Sequence, residues 1–122
     1  LKNYPADVPL SERMEYLWNR YAHWALENPD RFRLMEQLRL SEMVSQKTVN
    51  DVEGEEAFMI EVIEEACTLG TSENLGVRYV CKMTYAMLAG TITYALTENL
   101  SGQELQSHLD AGFSALLKGL FQ

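Results

Sequence analysis

The stretch that decides the fold is residues 77–96, VRYVCKMTYAMLAGTITYAL. Only Arg78 and Lys82 in it are charged, and apolar residues point in every direction of a helical projection. A helix that is apolar all round must be covered all round, so we expect one side to meet its own domain and the other to meet something else. The uncharged run from Met83 to Thr97 is shorter than the about 20 apolar residues of a membrane span. The stretch therefore predicts a buried helix of an all-α protein that does not cross a membrane.

Apolar residues at three- and four-residue steps predict four further helices around this one, and no stretch makes a convincing strand. Asn28 and Pro29 end the first helix and begin the second, because Asn is a good N-cap and Pro suits the first helical position. Ser101, with Glu104 three residues later, predicts a capping box at the start of the last helix. We expect a single domain over residues 1–122, with helices at about 10–27, 29–40, 45–69, 73–98 and 101–121.

The charge balance limits the partners that this chain binds directly. Its 18 acidic residues outnumber its 10 basic residues, which gives a net charge of −8. Affinity for nucleic acid depends on Lys and Arg that neutralise phosphates, and an anionic membrane attracts the same residues, so we expect neither partner for the chain itself. Cys67 and Cys81 lie in helical patterns and no signal peptide opens the chain, which favours the cytoplasm.

Residue patterns for catalysis are scarce. His23 and His108 are the only histidines, and no nucleophile elbow accompanies them. No Glu is followed by His at the three-residue spacing of di-iron bundles, and neither cysteine has a partner at zinc-binding spacing. The sequence therefore predicts no catalytic residue, no metal and no cofactor.

Small residues follow one side of each of the last two helices. Two glycines inside the last helix cost about 2 kcal/mol relative to alanine, and the close approach of another helix would compensate for this. That helix could come from the same chain, or from a second copy in a four-helix dimer core. For the dimer we expect an interface formed by Ala86, Gly90, Thr93, Thr97, His108, Ala111, Gly112, Ala115, Leu116 and Gly119.

Methionine and aromatic residues are frequent on the predicted helices that precede the last two. Met adapts to irregular ligands, and Trp and Tyr add a polar tip, so such residues between helices are typical of a pocket for a small hydrophobic molecule. Taken singly, each of these residues is better explained by ordinary core packing, and only the collection suggests a pocket. The predicted pocket residues are Met14, Trp18, Tyr21, Phe32, Met35, Met59, Ile63, Met83 and Met87.

Several strings identify a family likeness. The chain contains, in order, the strings Glu27-Asn28-Pro29-Asp30-Arg31-Phe32, Leu38-Arg39-Leu40-Ser41 and Val44-Ser45. A long predicted helix then closes at Leu69-Gly70. The last two predicted helices contain Gly90 and the run Leu116 to Leu120. This order resembles the C-terminal domain of TetR-family transcriptional regulators over nearly the whole chain.

The resemblance implies a five-helix all-α domain whose last two helices form a four-helix dimer core. It also implies a ligand-responsive repressor that binds a small, hydrophobic effector and shifts its helices in response. The family reads DNA with a helix-turn-helix N-terminal to this domain, so we expect DNA contact only through such a segment upstream of Leu1. Two alternatives are a helical homodimerisation module without a small ligand and a helical-bundle enzyme that uses carboxylates and a metal.

Overall fold

The computed structural model describes residues 7–40, 61–67 and 76–121, and it is helical almost throughout. The helices are α1 (Leu10–Glu27), α2 (Pro29–Leu40), α3 (the helical residues 61–67), α4 (Val77–Thr97) and α5 (Gly102–Leu120). Since no strand occurs in these ranges, the all-α fold class is confirmed. α1 and α2 have the predicted bounds, whereas residues 45–60, 68 and 69 of the predicted third helix lie outside the described residues.

Asn28 joins α1 to α2 by closing one helix and opening the other. Its backbone and side-chain N–H groups both donate to the Trp24 carbonyl, each at 2.9 Å, which satisfies an acceptor at the end of α1. Its own carbonyl accepts from the Phe32 N–H at 3.0 Å and so begins the hydrogen-bond ladder of α2. The predicted N-cap position is therefore occupied by Asn28, with its side chain turned back towards α1.

The ends of α4 and α5 differ in part from the predictions. Gly76, predicted inside the fourth helix, precedes α4 with φ +85, a conformation that glycine adopts without strain. At the other end of α4, Asn99 takes φ +55 and donates to Leu96, while Leu100 donates to Ala95, as in a Schellman motif. Ser101 then occupies the N-cap position of α5, but its hydroxyl makes no capping bond, so the predicted capping box is wrong.

The core forms where α1 packs against α2, α4 and α5. α1 is amphipathic and buries one face, and α4 and α5 bury a matching set of aliphatic and aromatic side chains between them and α1. Each large apolar side chain fully removed from water contributes about 1.5–3 kcal/mol to folding. The largest fully buried side chains include Trp18, Phe32, Leu88, Ile92, Leu109 and Leu116.

The helical residues 61–67 join the same core through one face. Val62, Ile63 and Ala66 are buried, while Glu61 and Glu64 are exposed, as expected for one helix face against a core. Glu65 lies 3.1 Å from a guanidinium nitrogen of Arg13 on α1. This partly exposed ion pair contributes little energy, but it ties α3 to α1 at the edge of the core. Within the described ranges, no helix is long and apolar enough to cross a membrane.

Candidate functional site

The predicted pocket residues lie mostly in the interior of the protein. Met14, Trp18, Tyr21, Phe32 and Ile63 all belong to the buried core, where they pack against side chains from several helices. Met87 is partly buried against that core, Met35 and Met83 are partly exposed, and Met59 lies outside the described residues. The structure thus brings together most of the described residues predicted to line a pocket, in the form of a packed core.

An open groove of about 540 Å³ lies on the other side of α1, along its polar face. Tyr16, Asn19, Arg20 and His23 line it, together with acidic residues of the first turns. None of the predicted pocket residues contributes to this groove. His23 is exposed there.

Trp18 joins α1 to α5 through a hydrogen bond and a ring contact. Its indole Nε1 donates to the Leu109 carbonyl at 3.0 Å, although 91 positions separate the two residues in the chain. Its ring packs at a tilt on Phe113, with 5.9 Å between the ring centroids. A buried indole needs a partner for its N–H, and here a helical carbonyl of α5 supplies it. Trp18 is therefore held by both packing and a directed hydrogen bond.

Gly112 makes room for this contact. A Cβ atom placed on Gly112 would lie 2.9 Å from Cζ2 of Trp18 and 2.7 Å from Oγ1 of Thr91, both shorter than real Cβ contacts. The Thr91 hydroxyl donates to the Met87 carbonyl of its own helix at 2.8 Å, which holds it in this position. The close approach at Gly112 is therefore made by α1 and α4 of the same chain.

Two residues assigned to the dimer interface are corrected by this arrangement. Gly112 faces Trp18 and Thr91 inside the chain, so a bulky residue there would strain the fold before it reached a second copy. Leu116 is 1% exposed and belongs to the core, so it has no surface to offer a partner. Both errors have the same origin, because small and apolar residues occur on the inner and the outer side of α5.

Most of the remaining predicted interface residues lie together on the outside of α4 and α5. We call this surface the small-residue face; its exposed members are Ala86, Gly90, Thr93 and Thr97 on α4 and Ala111, Ala115 and Gly119 on α5. α4 and α5 run antiparallel across a short connection, and Thr91 lies beside Gly112. Side chains of this size leave the face nearly flat, so another helix could approach it closely.

The glycines of the face differ from Gly112. A Cβ atom placed on Gly90 or Gly119 would have no atom of the described chain within 4 Å. Gly90 lies in the interior of α4, where glycine destabilises a helix by about 1 kcal/mol relative to alanine. Within the described residues no side chain packs against Gly90 to compensate for that cost, whereas Trp18 and Thr91 pack against Gly112.

Aromatic residues flank the face at its edge. Tyr94 is 50% exposed and stacks on His108 of α5, with 5.4 Å between the ring centroids. His108 Nδ1 lies 2.9 Å from the Glu104 carbonyl, which can only accept, so Nδ1 carries the proton in this contact. His108, which the sequence assigned to the dimer interface, is half-buried. Sequence reasoning missed Tyr94, although it follows Gly90 by four residues and so shares its side of the helix.

The surroundings of the two cysteine thiols shift their pKa values. Burial raises the pKa of the thiols of Cys67 and Cys81 above the ordinary value, and the neighbouring Cys67 and Glu64 add to the effect at Cys81. A raised pKa makes a thiol a poorer nucleophile at neutral pH. The described residues also contain no group of three or more His, Cys, Asp or Glu side chains that could hold a metal ion.

Comparisons of the chain with protein-family models, with curated proteins and with solved structures found no match.

Proposed function

We propose that this chain is the effector-binding and dimerisation domain of a TetR-type transcriptional regulator, with α4 and α5 forming a four-helix dimer core with a second copy. The observation that carries the dimer is the contrast among the helical glycines. The space beside Gly112 is occupied by side chains of the same chain, whereas Gly90 and Gly119 lie on the exposed small-residue face with no described atom within 4 Å of an added Cβ. Helix glycines without a local contact favour close approach by a helix from outside.

The regulatory part of the proposal rests on the resemblance of the sequence strings to the TetR family. In such a regulator, the effector changes the arrangement of the helices that hold two DNA-reading segments, and so lowers affinity for the operator. The net charge of −8 agrees with a sensor half that leaves DNA contact to another segment. A ligand-responsive repressor in the cytoplasm is the role that this combination favours.

A second function, a homodimerisation module without a small ligand, is favoured by the packing of the predicted pocket. Trp18, Phe32 and Ile63 are 2% exposed or less, and Trp18 is held by a directed hydrogen bond. A ligand among these side chains would have to displace core contacts, whereas a preformed pocket would not require this. The two functions share the dimer and differ only in the effector.

Sedimentation equilibrium of the chain tests the dimer, which both functions need. A mass of twice 13.9 kDa supports them, and a monomer at all concentrations contradicts them. The effector is tested by screening apolar compounds for a change in the fluorescence of Trp18 and Trp24 and for thermal stabilisation. A ligand at 100 times its Kd stabilises the folded state by about 2.7 kcal/mol. An intact dimer that responds to no compound in either assay would favour the module without a ligand.

A further inference from the structure

Exposed charges of opposite sign mark the two ends of the small-residue face. On α5, Glu104 lies in the first turn and Lys118 in the last, and both side chains are exposed. Ala111 lies midway between them, seven residues from each. Seven residues make nearly two full turns, so Glu104, Ala111 and Lys118 share one side of the helix, with each charge about 10 Å from the alanine along the axis.

The charges on α4 follow the same division. Thr91 lies beside Gly112 and Tyr94 beside His108, so positions of α4 and α5 run in opposite directions along the face. This register places Lys82 at the end of the helices that carries Lys118, and Glu98 at the end that carries Glu104. One end of the face is therefore basic, the other is acidic, and the small residues lie between them.

These charges lack ion-pair partners within the described part of the chain. Arg13 pairs with Glu65 and Arg33 pairs with Asp30, and neither pair lies on α4 or α5. A charge that is exposed and unpaired at the edge of a flat face is available to a partner.

We infer that two copies meet through the small-residue face in an antiparallel arrangement, about a two-fold axis at Ala111, so that Glu104 of each copy pairs with the partner's Lys118. This rests on the proposed dimer and adds its orientation and register. A parallel arrangement would bring acidic end to acidic end and basic end to basic end. The antiparallel arrangement brings opposite charges together twice, once on each side of the axis.

A simpler role for the same two residues is interaction with the dipole of their own helix. Glu104 near the N-terminus and Lys118 near the C-terminus of α5 both have the sign that the dipole favours. That role concerns the stability of one chain, and it predicts nothing about association. The two explanations therefore separate in an experiment that measures both quantities.

The experiment measures the dimer Kd by sedimentation equilibrium for Glu104→Lys, Lys118→Glu and the double variant with both changes. Each single reversal turns both symmetry-related attractions into repulsions, so we expect Kd to rise about ten-fold. The double variant restores both pairs with the signs exchanged, so its Kd should return close to that of the unchanged chain. An equimolar mixture of the two single variants should form heterodimers with similar affinity. Higher salt should shrink all these differences.

Glu27→Lys and Arg31→Glu are the matched controls, because they make the same changes of charge at exposed positions of α1 and α2. Circular dichroism establishes that each variant is folded, and thermal melting reports the dipole effect, which the double variant makes worse. Single reversals that associate no more weakly than the controls, or a double variant that stays weak, would overturn the antiparallel register while leaving the dimer. A monomeric unchanged chain would overturn the register and the proposed dimer together.

Discussion

Replacement of Gly112 by alanine adds one methyl group at the point where α1, α4 and α5 meet. The new Cβ would lie 2.7 Å from the Thr91 hydroxyl and 2.9 Å from the Trp18 ring. Thr91 can rotate away if it gives up its hydrogen bond to Met87, a loss of about 1 kcal/mol. Trp18 cannot move freely, since it is 1% exposed and its Nε1 is bonded to Leu109. Overpacking of such a site costs about 1–3 kcal/mol.

Against these losses, alanine improves the helix propensity of α5 by about 1 kcal/mol. We therefore expect Gly112→Ala to lower the free energy of unfolding by about 1–3 kcal/mol. The measurement is urea denaturation followed by circular dichroism at one low protein concentration, because association adds to apparent stability. Gly90→Ala is the matched control, since it makes the same change in open space and should gain about 0.5–1 kcal/mol.

A double-mutant cycle shows whether the contact with Thr91 causes the loss. Thr91→Ala removes the atom closest to the new methyl group, so Gly112→Ala should be less harmful in that background by at least about 0.5 kcal/mol. Trp18 remains close, so relief should be partial. If Gly112→Ala stabilised the chain as much as Gly90→Ala does, the assignment of Gly112 to the interior would be wrong.

Two further predictions concern the core. Trp18→Phe removes the hydrogen bond to Leu109 and leaves unfilled space, so urea denaturation should show the free energy of unfolding lowered by about 2–3 kcal/mol. Trp24→Phe, at a half-buried position, should lower it less. Equal losses in the two variants would contradict the anchoring role of Trp18. Burial raises the pKa of the Cys67 and Cys81 thiols, so the folded state favours their protonated form. This preference stabilises the folded state below the ordinary thiol pKa, and the stabilisation is lost as the pH rises past that value. The free energy of unfolding should therefore fall between about pH 8 and 10 more steeply in the unchanged chain than in the Cys67→Ala, Cys81→Ala variant, and parallel curves would refute this.

The helices themselves were largely predictable, because their signals are local. The three- and four-residue spacing of apolar residues, the Asn28-Pro29 junction and Ser101 at the start of the last helix together placed α1, α2 and α5 within one residue of their observed bounds. The start of α4 was misplaced because propensity alone does not show that Gly76 takes a positive φ.

The site was less predictable, because its parts depend on contacts between helices that are distant in the chain. Gly90 and Gly112 look alike in the sequence. Only the position of Trp18 shows that a side chain occupies the space beside Gly112, while the space beside Gly90 is free of described atoms. Residue type likewise did not distinguish a pocket from a core, since Met14 and Phe32 suit both. The residues of the small-residue face were assigned from their spacing to one side of each helix, where they are exposed, and their role in a dimer interface stays a prediction.

Whether the small-residue face joins two copies is tested most directly by sedimentation equilibrium of Gly90→Leu beside the unchanged chain. Leucine at this exposed position meets no described atom of its own chain within 4 Å of its Cβ and improves helix propensity by somewhat less than 1 kcal/mol, so the monomer should stay folded. In the dimer the same side chain would hold the two faces apart. We predict that the unchanged chain sediments as a dimer and the variant as a folded monomer. A variant that dimerises with unchanged affinity would contradict an interface at this face.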